Sequence, residues 1–178
     1  HGTDVRHPVV GRMSRRLTRS IDLTGAVSLA LFGPEDGRPG LPKRPGKNAV
    51  IPCGADLGRF NPGSRREARQ RLGMDPDQPF LLFPADPGRP EKRADRAREV
   101  AEAAGAEIRL GGSIDPDVMP DWMNAANAVL VTSDYEGFGL ACLEAVACGV
   151  PVLSTRVGIA PHLLDGLDNS LCSDFDVA

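Results

Sequence analysis

The stretch AVLVTSDYEGFGLACLEAVACGVPVLS, Ala128–Ser154, decides the fold. Ala128–Thr132 is a short apolar run bounded by polar residues, which predicts a buried strand. Gly137-Phe138-Gly139 then makes a turn, and Gly139–Cys148 carries the small and apolar residues of a packed helix. VPVLS at Val150–Ser154 predicts the next strand. The same rhythm continues on both sides. Upstream, strands are expected at Asn48–Pro52, Phe80–Pro84 and Ala106–Leu110, with helices near Arg65–Leu72, Ala94–Ala104 and Asp117–Ala126. FLLFP at Phe80–Pro84 is apolar throughout, as a strand covered on both faces requires. Downstream come a short helix at Ala160–Asp165 and a last strand at Ser170–Cys172. Strands alternating with helices at this spacing predict an α/β fold, parallel βαβ units in a doubly wound sheet.

Before residue 48 the composition changes. Asp22–Ser28 predicts one short strand, and Phe32–Lys47 holds four Pro and four Gly with little apolar content, the composition of an inter-domain linker. The expected division is therefore 1–31, a linker at 32–47, and a main domain at 48–178. In residues 1–20, Arg6, Arg12, Arg15, Arg16 and Arg19 accompany Met13 and Leu17, an i, i+4 apolar pair. That pattern predicts a short basic helix, which either presents a solvated face or contacts an anionic membrane surface or substrate.

The chain has 178 residues, of which 41% are hydrophobic, enough for a core of real size. A formal net charge of -3 lacks the basic excess of a dedicated nucleic-acid binder. No apolar run approaches the roughly 18 residues of a membrane span. Cys53, Cys142, Cys148 and Cys172 show no CxxC or Cys/His ligand spacing. They read as free thiols in a reducing cytoplasm, with no zinc site.

In such a sheet ligands bind beyond the carboxyl ends of the strands, so the loops there hold the candidate chemistry. Gly137 and Gly139 let backbone approach a ligand, and helix-start amides suit an anion such as pyrophosphate. Glu136 and Glu144 flank that position. As ionised carboxylates they accept hydrogen bonds, which fits sugar or ribose hydroxyls. The competing reading makes Glu136 a turn cap and Glu144 a solvated helix charge. In FPADPGRPEKRADRA, Phe83–Ala97, a tight loop presents Arg89 and Lys92, two cations suited to a diphosphate. Arg93 and Arg96 are expected to point outward as solvated charge. Asp75-Pro-Asp77 and Asp115-Pro-Asp117 spell a metal-binding DxD, but Asp followed by Pro reads better as a helix cap. His7 and His162 read as exposed and Trp122 and Met123 as core. No G-x-S-x-G elbow is present to support a serine hydrolase.

EGFGLACLEAVACGVPV, with Glu136 and Glu144 separated by seven residues, resembles the E-x7-E signature of retaining glycosyltransferases of family 4. HGTDV at 1–5 resembles that family's HGSDV, and Ala26–Ser28 a strand of its acceptor-side domain. VIPCGADLGRFNP at Val50–Pro62 is similar to the family's VIPNGVDxxxFxP, and Arg89–Lys92 to its Arg/Lys loop. The spacing from Arg89 to Lys92 is shorter than is common there, Arg93 replaces a usual Gly, and VGIAP at Val157–Pro161 stands in place of GG-x-P-E.

The resemblance implies a GT-B fold in which residues 1–31 are a remnant of the acceptor-side Rossmann-like domain and 48–178 the nucleotide-sugar domain. It implies that Glu136 binds donor-sugar hydroxyls and that the amides of Phe138, Gly139 and Leu140 hold the distal phosphate. Glu144 would take the ribose, and Arg89 and Lys92 the leaving diphosphate. Backbone at Gly111, Gly112, Ser113 and Ile114 would flank the base, and His1 would lie by the anomeric carbon. The implied reaction retains anomeric configuration and uses no metal or cofactor. The donor would be UDP- or GDP-linked, and the acceptor a glycan, lipid or small molecule. The expected location is the cytoplasm, with the basic segment able to touch the inner membrane face. Most of the acceptor domain is missing before HGTD, so the chain reads as about half an enzyme. Two alternatives remain open: a GT-B-type nucleotide-sugar epimerase or hydrolase, and a truncated, non-catalytic binding module.

Overall fold

The structure is a computed structural model and describes residues 5–33 and 39–172. It divides into two compact units, 5–33 with 39–54 and 136–138, and 55–135 with 139–172.

The first unit holds helix α1 (Val10–Leu17) and a parallel pair of strands, β1 (Thr24–Ala26) and β2 (Asn48–Val50). Its small core joins Val5, Ala26, Leu31, Phe32 and Leu41. Two expectations are corrected here. Asn48–Val50 pairs with β1, and the division falls after Gly54 rather than before residue 48. The supposed linker is also partly core. Phe32 and Leu41 are buried, and the Gly33 amide donates to the Leu41 carbonyl at 2.7 Å while Leu41 donates to Leu31. The Pro and Gly content reflects turns within a folded segment, at least over its described part. In α1, Gly11 faces inward; a Cβ there would lie 2.1 Å from the Val5 carbonyl oxygen. Val10, Met13 and Leu17 are consequently exposed.

The second unit is the doubly wound sheet. Its elements are α2 (Arg65–Arg71), β3 (Phe80–Phe83), α3 (Ala94–Ala103), β4 (Glu107–Leu110), α4 (Met119–Ala125), β5 (Ala128–Val131), α5 (Leu140–Ala147), β6 (Val152–Thr155), α6 (Ala160–Leu163) and β7 (Leu171–Cys172). All five strands are parallel in the order β4-β3-β5-β6-β7. Alternation along β3 and β5 explains the two-sided burial. Phe80, Leu82, Val129 and Val131 face a core shared with Ala68, Met123, Cys142 and Ala145. Phe83 and Leu130 face the other side and meet Ala94 and Ala97 of α3.

Local signals start and stop these helices as the sequence suggests. The Ser64 side chain caps α2 by accepting from the Glu67 amide. Asp115 caps the short 3-10 turn Pro116–Val118, with Pro in its first turn, and Asp75 accepts from the Asp77 amide. Both DxD stretches are thus turn devices. Met123 is wholly buried, while Trp122 is partly buried, edge-on to Phe80 at 6.2 Å. All four cysteines are free, with Cys142 and Cys148 buried. Among the described residues no helix is long and apolar enough to cross a membrane.

Candidate functional site

The chain enters this sheet at β3, winds outward to the edge strand β4, then returns to the other side of β3 as β5. The winding direction reverses between β3 and β5. The connections leave the two strands in opposite directions there, and ligands of open α/β sheets bind at such a point. Within this unit the segments beyond the ends of these strands are 84–93, 132–135 and Gly139, which carry the predicted cations and the predicted helix start.

The cation loop is tightly defined. Arg89 is exposed and donates through Nε and Nη2 to Glu91 Oε1, at 2.9 and 2.5 Å. Burial works to raise the Glu91 carboxyl, but its own amide, the Arg89 hydrogen bond and the charges of Arg89 and Lys92 together hold it below the ordinary carboxylate range. Arg89 thus pairs with Glu91, and the charge of Lys92 also acts on that carboxylate. Arg93 adopts a left-handed backbone, φ 55° and ψ 54°, at the start of α3. That is the conformation a glycine would occupy without strain. Here it is compensated by ion pairs, with Asp95 at 2.6 Å and with Asp134 at 3.2 Å. Arg96 joins Asp134 at 2.8 Å. The expectation that Arg93 and Arg96 point away as solvated charge is corrected, because Asp134 at the end of β5 draws both back over the sheet.

At the other loop Gly139 takes φ 95° and opens α5, which has no side-chain cap. Its carbonyl accepts from the amides of Cys142 and Leu143. Leu140, the first helical residue, is exposed. Glu144 lies one turn further, half-buried among apolar neighbours. Burial raises its carboxyl above the ordinary range, and Arg59 offsets part of that. Arg59 is itself held by the Pro116 carbonyl at 2.8 Å and by Asp117 at 3.2 Å. The reading of Glu144 as a fully solvated charge therefore fails. Glu136 and Phe138 group with the first unit, where the Ser28 hydroxyl donates to the Gly137 carbonyl at 2.6 Å. His1 lies outside the described residues.

Gly111 and Gly112 serve packing. A Cβ on Gly111 would lie 2.3 Å from the Pro84 carbonyl oxygen, and one on Gly112 would lie 2.7 Å from Pro87 Cδ. The loops after β3 and β4 touch there, so that side of the backbone is filled. Ser113 and Ile114 instead line an open groove of about 520 Å³ with Arg109, Val118 and Trp122. Reading the sequence missed Glu91, Asp134, Thr132 and Arg59. Glu91 lies inside the RPEK run, Arg59 inside VIPCGADLGRFNP, and Thr132 and Asp134 just before Glu136, but nothing local marks the partner of any of them.

A family model described as "Glycosyl transferases group 1" matches residues 81–178, more than half of the chain. The chain belongs to that family. It is 28% identical over 204 residues to "D-inositol 3-phosphate glycosyltransferase 2" of Catenulispora acidiphila, covering 90% of this chain and 45% of that protein. It is 31% identical over 173 residues to "D-inositol 3-phosphate glycosyltransferase" of Geodermatophilus obscurus, covering 75% of this chain and 38% of that one. This member of the glycosyl transferases group 1 family thus spans less than half the length of these curated relatives. Among solved structures it resembles in fold Anabaena Alr3699/HepE, solved in complex with UDP and glucose, at TM-score 0.66 and 20% identity, over 91% of this chain and 52% of that one. WaaG, a glycosyltransferase involved in lipopolysaccharide biosynthesis, gives 0.57 at 23% identity, over 68% of this chain and 42% of WaaG. The α/β Rossmann-like parallel sheet is the architecture expected from the sequence.

Proposed function

We propose that this chain carries the donor-binding part of a glycosyltransferase that moves a sugar from a UDP- or GDP-linked donor to an acceptor, with retention and without a metal ion. One observation carries the reading: the Arg89/Lys92 loop and the glycine-opened start of α5 both lie at the β3/β5 reversal. In this account the diphosphate sits on helix-start amides while Arg89 and Lys92 neutralise the charge that grows as the sugar departs. Electrostatic stabilisation of this kind is commonly the largest catalytic contribution. Two cations fill the place a divalent metal would take. Arg89 exchanges Glu91 for the phosphate, so its charge stays paired in both states. Glu144 accepts from ribose hydroxyls; its half-buried carboxylate is a poor solvated charge but a good acceptor for a ligand. The Ser113–Ile114 groove takes the base. The roles of Glu136 on the sugar and of His1 near the anomeric carbon belong to the same proposal.

The proposed setting is the cytoplasm. In α1 the exposed Val10, Met13 and Leu17 lie beside Arg12 and Arg16, a pattern suited to an anionic membrane face.

The test is product analysis by NMR. The chain is incubated with UDP- and GDP-sugars, with and without acceptor alcohols, inositol 3-phosphate among them. Transfer with retained anomeric configuration is expected only when an acceptor is present. Turnover without any acceptor would favour the epimerase or hydrolase. Donor binding with no turnover under any condition would favour a binding module.

A further inference from the structure

The cation loop has no regular structure of its own beyond the 3-10 turn Pro90–Lys92, yet it is fixed at several points to the end of β5. The Asp134 amide donates to the Glu91 carbonyl at 2.9 Å. The Thr132 hydroxyl, fully buried, lies 3.0 Å from the Lys92 carbonyl and 2.9 Å from that of Arg93. The Asp134 carboxylate receives Arg93 and Arg96 on the same oxygen. Behind these, the Thr155 hydroxyl at the end of β6 lies 2.7 Å from the Ser133 carbonyl and 3.2 Å from that of Val131, which braces the β5 terminus. Bonds thus run from β6 to the end of β5 and on to the loop that follows β3. The β3–β5 ladder runs only through Leu81–Ala128 and Leu82–Val129, so these groups act beyond its end. What they fix is the backbone on either side of Lys92.

We propose that Thr132 and Asp134 are positioning residues, which hold the 89–93 loop to the β5 terminus so that Lys92 reaches a diphosphate from a preset backbone. The inference rests on the reading of Lys92 as a diphosphate ligand. The physical reason is preorganisation. A loop that must be ordered by its ligand draws on the binding energy to do so, whereas one ordered beforehand does not. Thr132 is the sharper of the two, since its hydroxyl touches the carbonyl of the residue in question. Asp134 acts more broadly, by neutralising the two arginines that flank the start of α3 and by compensating the left-handed backbone at Arg93.

The experiment is a titration of the full chain with UDP and with GDP, following whichever binds more tightly, in a double-mutant cycle. The proteins are the unmodified chain, Thr132→Val, Lys92→Ala and the double variant, with Thr132→Ser as the variant that keeps the hydroxyl. Thr132→Val is expected to weaken binding about three- to tenfold when Lys92 is present, and less than about twofold in the Lys92→Ala background. Thr132→Ser should bind like the unmodified chain. Equal weakening in both backgrounds would show that Thr132 supports the fold generally, and would overturn the proposal. So would unchanged binding by Thr132→Val while Lys92→Ala is impaired, an outcome that leaves the reading of Lys92 intact. If Lys92→Ala binds normally, or if neither nucleotide binds, that reading falls and takes this inference with it. Should Thr132→Val fail to fold, Asp134→Asn enters the same cycle with the same expected and overturning results.

Discussion

A Cβ built on Gly111 would stand 2.3 Å from the carbonyl oxygen of Pro84 and 2.6 Å from its carbonyl carbon. The obstacle is backbone at both contacts, so no side-chain rotation relieves it. Gly111→Ala must push the loops after β3 and β4 apart. We expect a loss of about 1–3 kcal/mol or more in urea unfolding, together with weaker nucleotide binding, because the displaced loop is the one that carries Arg89 and Lys92. Stability within experimental error of the unmodified chain would mean that the two loops are not in contact.

Arg69 offers a second stability test. Its guanidinium is buried and donates to the Ala125 carbonyl at 2.9 Å, the Pro76 carbonyl at 2.8 Å and Asn127 Oδ1 at 2.7 Å, while stacking over Phe80. Arg69→Ala removes the donor to the Ala125 and Pro76 carbonyls, while Asn127 Oδ1 keeps the Phe80 amide, and each stranded buried acceptor costs about 1–3 kcal/mol. A large fall in the urea midpoint is expected, with α2 losing its tie to β3 and β5. Arg69→Lys can satisfy one acceptor at most well, so it should recover only part of the loss.

The left-handed backbone at Arg93 separates strain from ion pairing. Arg93→Ala keeps the strained conformation and removes both acidic partners; Arg93→Gly removes the partners but also the strain. The glycine variant should be the more stable by about 1–2 kcal/mol. Equal stability would mean that residue 93 is not held at positive φ in solution.

Much of this was legible in the sequence because β-strand runs such as Phe80–Phe83 and Ala128–Val131 are buried on both faces and so lack polar interruption. Boundaries were less legible. Phe32 and Leu41 were hidden by the Pro and Gly around them, and the partner of Asn48–Val50 is a strand 24 residues earlier in the chain. At the site, the cation loop and the glycine turn were readable as chemistry. Their bracing was not, since Arg93 meets a carboxylate 41 residues away and Ser28 meets Gly137 across 109 residues. Such pairings depend on tertiary placement, and neither partner carries a local pattern that announces the other.

Glu144 gives a pH dependence with a definite sign. Burial raises its carboxyl above the ordinary range, with Arg59 opposing. A raised value in the folded state means that protonation favours folding. Its contribution to stability is full below the unfolded value, about 4.3, and is lost as pH rises through the folded one. At neutral pH the ionised carboxylate is therefore a cost. Glu144→Gln should be more stable than the unmodified chain at pH 7, with the difference shrinking towards zero as pH falls to about 4. Urea midpoints across that range check it, and a variant less stable at pH 7 would contradict it.

The Cys148 thiol is pushed up to about 11, by burial first and by the Glu144 charge second. It is 3% exposed. Iodoacetamide at pH 8 should leave it unmodified in the folded chain and alkylate it in urea, with mass spectrometry reading the site. Rapid native labelling of Cys148 would show that α5 opens far more readily than its packing suggests.

The central claim is that a nucleoside diphosphate is gripped at the β3/β5 reversal. Calorimetric titration with UDP and GDP, comparing the unmodified chain with Lys92→Ala and Glu144→Ala, tests it most directly. Each variant is expected to lose about tenfold or more in affinity for the nucleotide that binds. Affinity unchanged in both would contradict the account, leaving a Rossmann-like sheet whose ligand lies elsewhere.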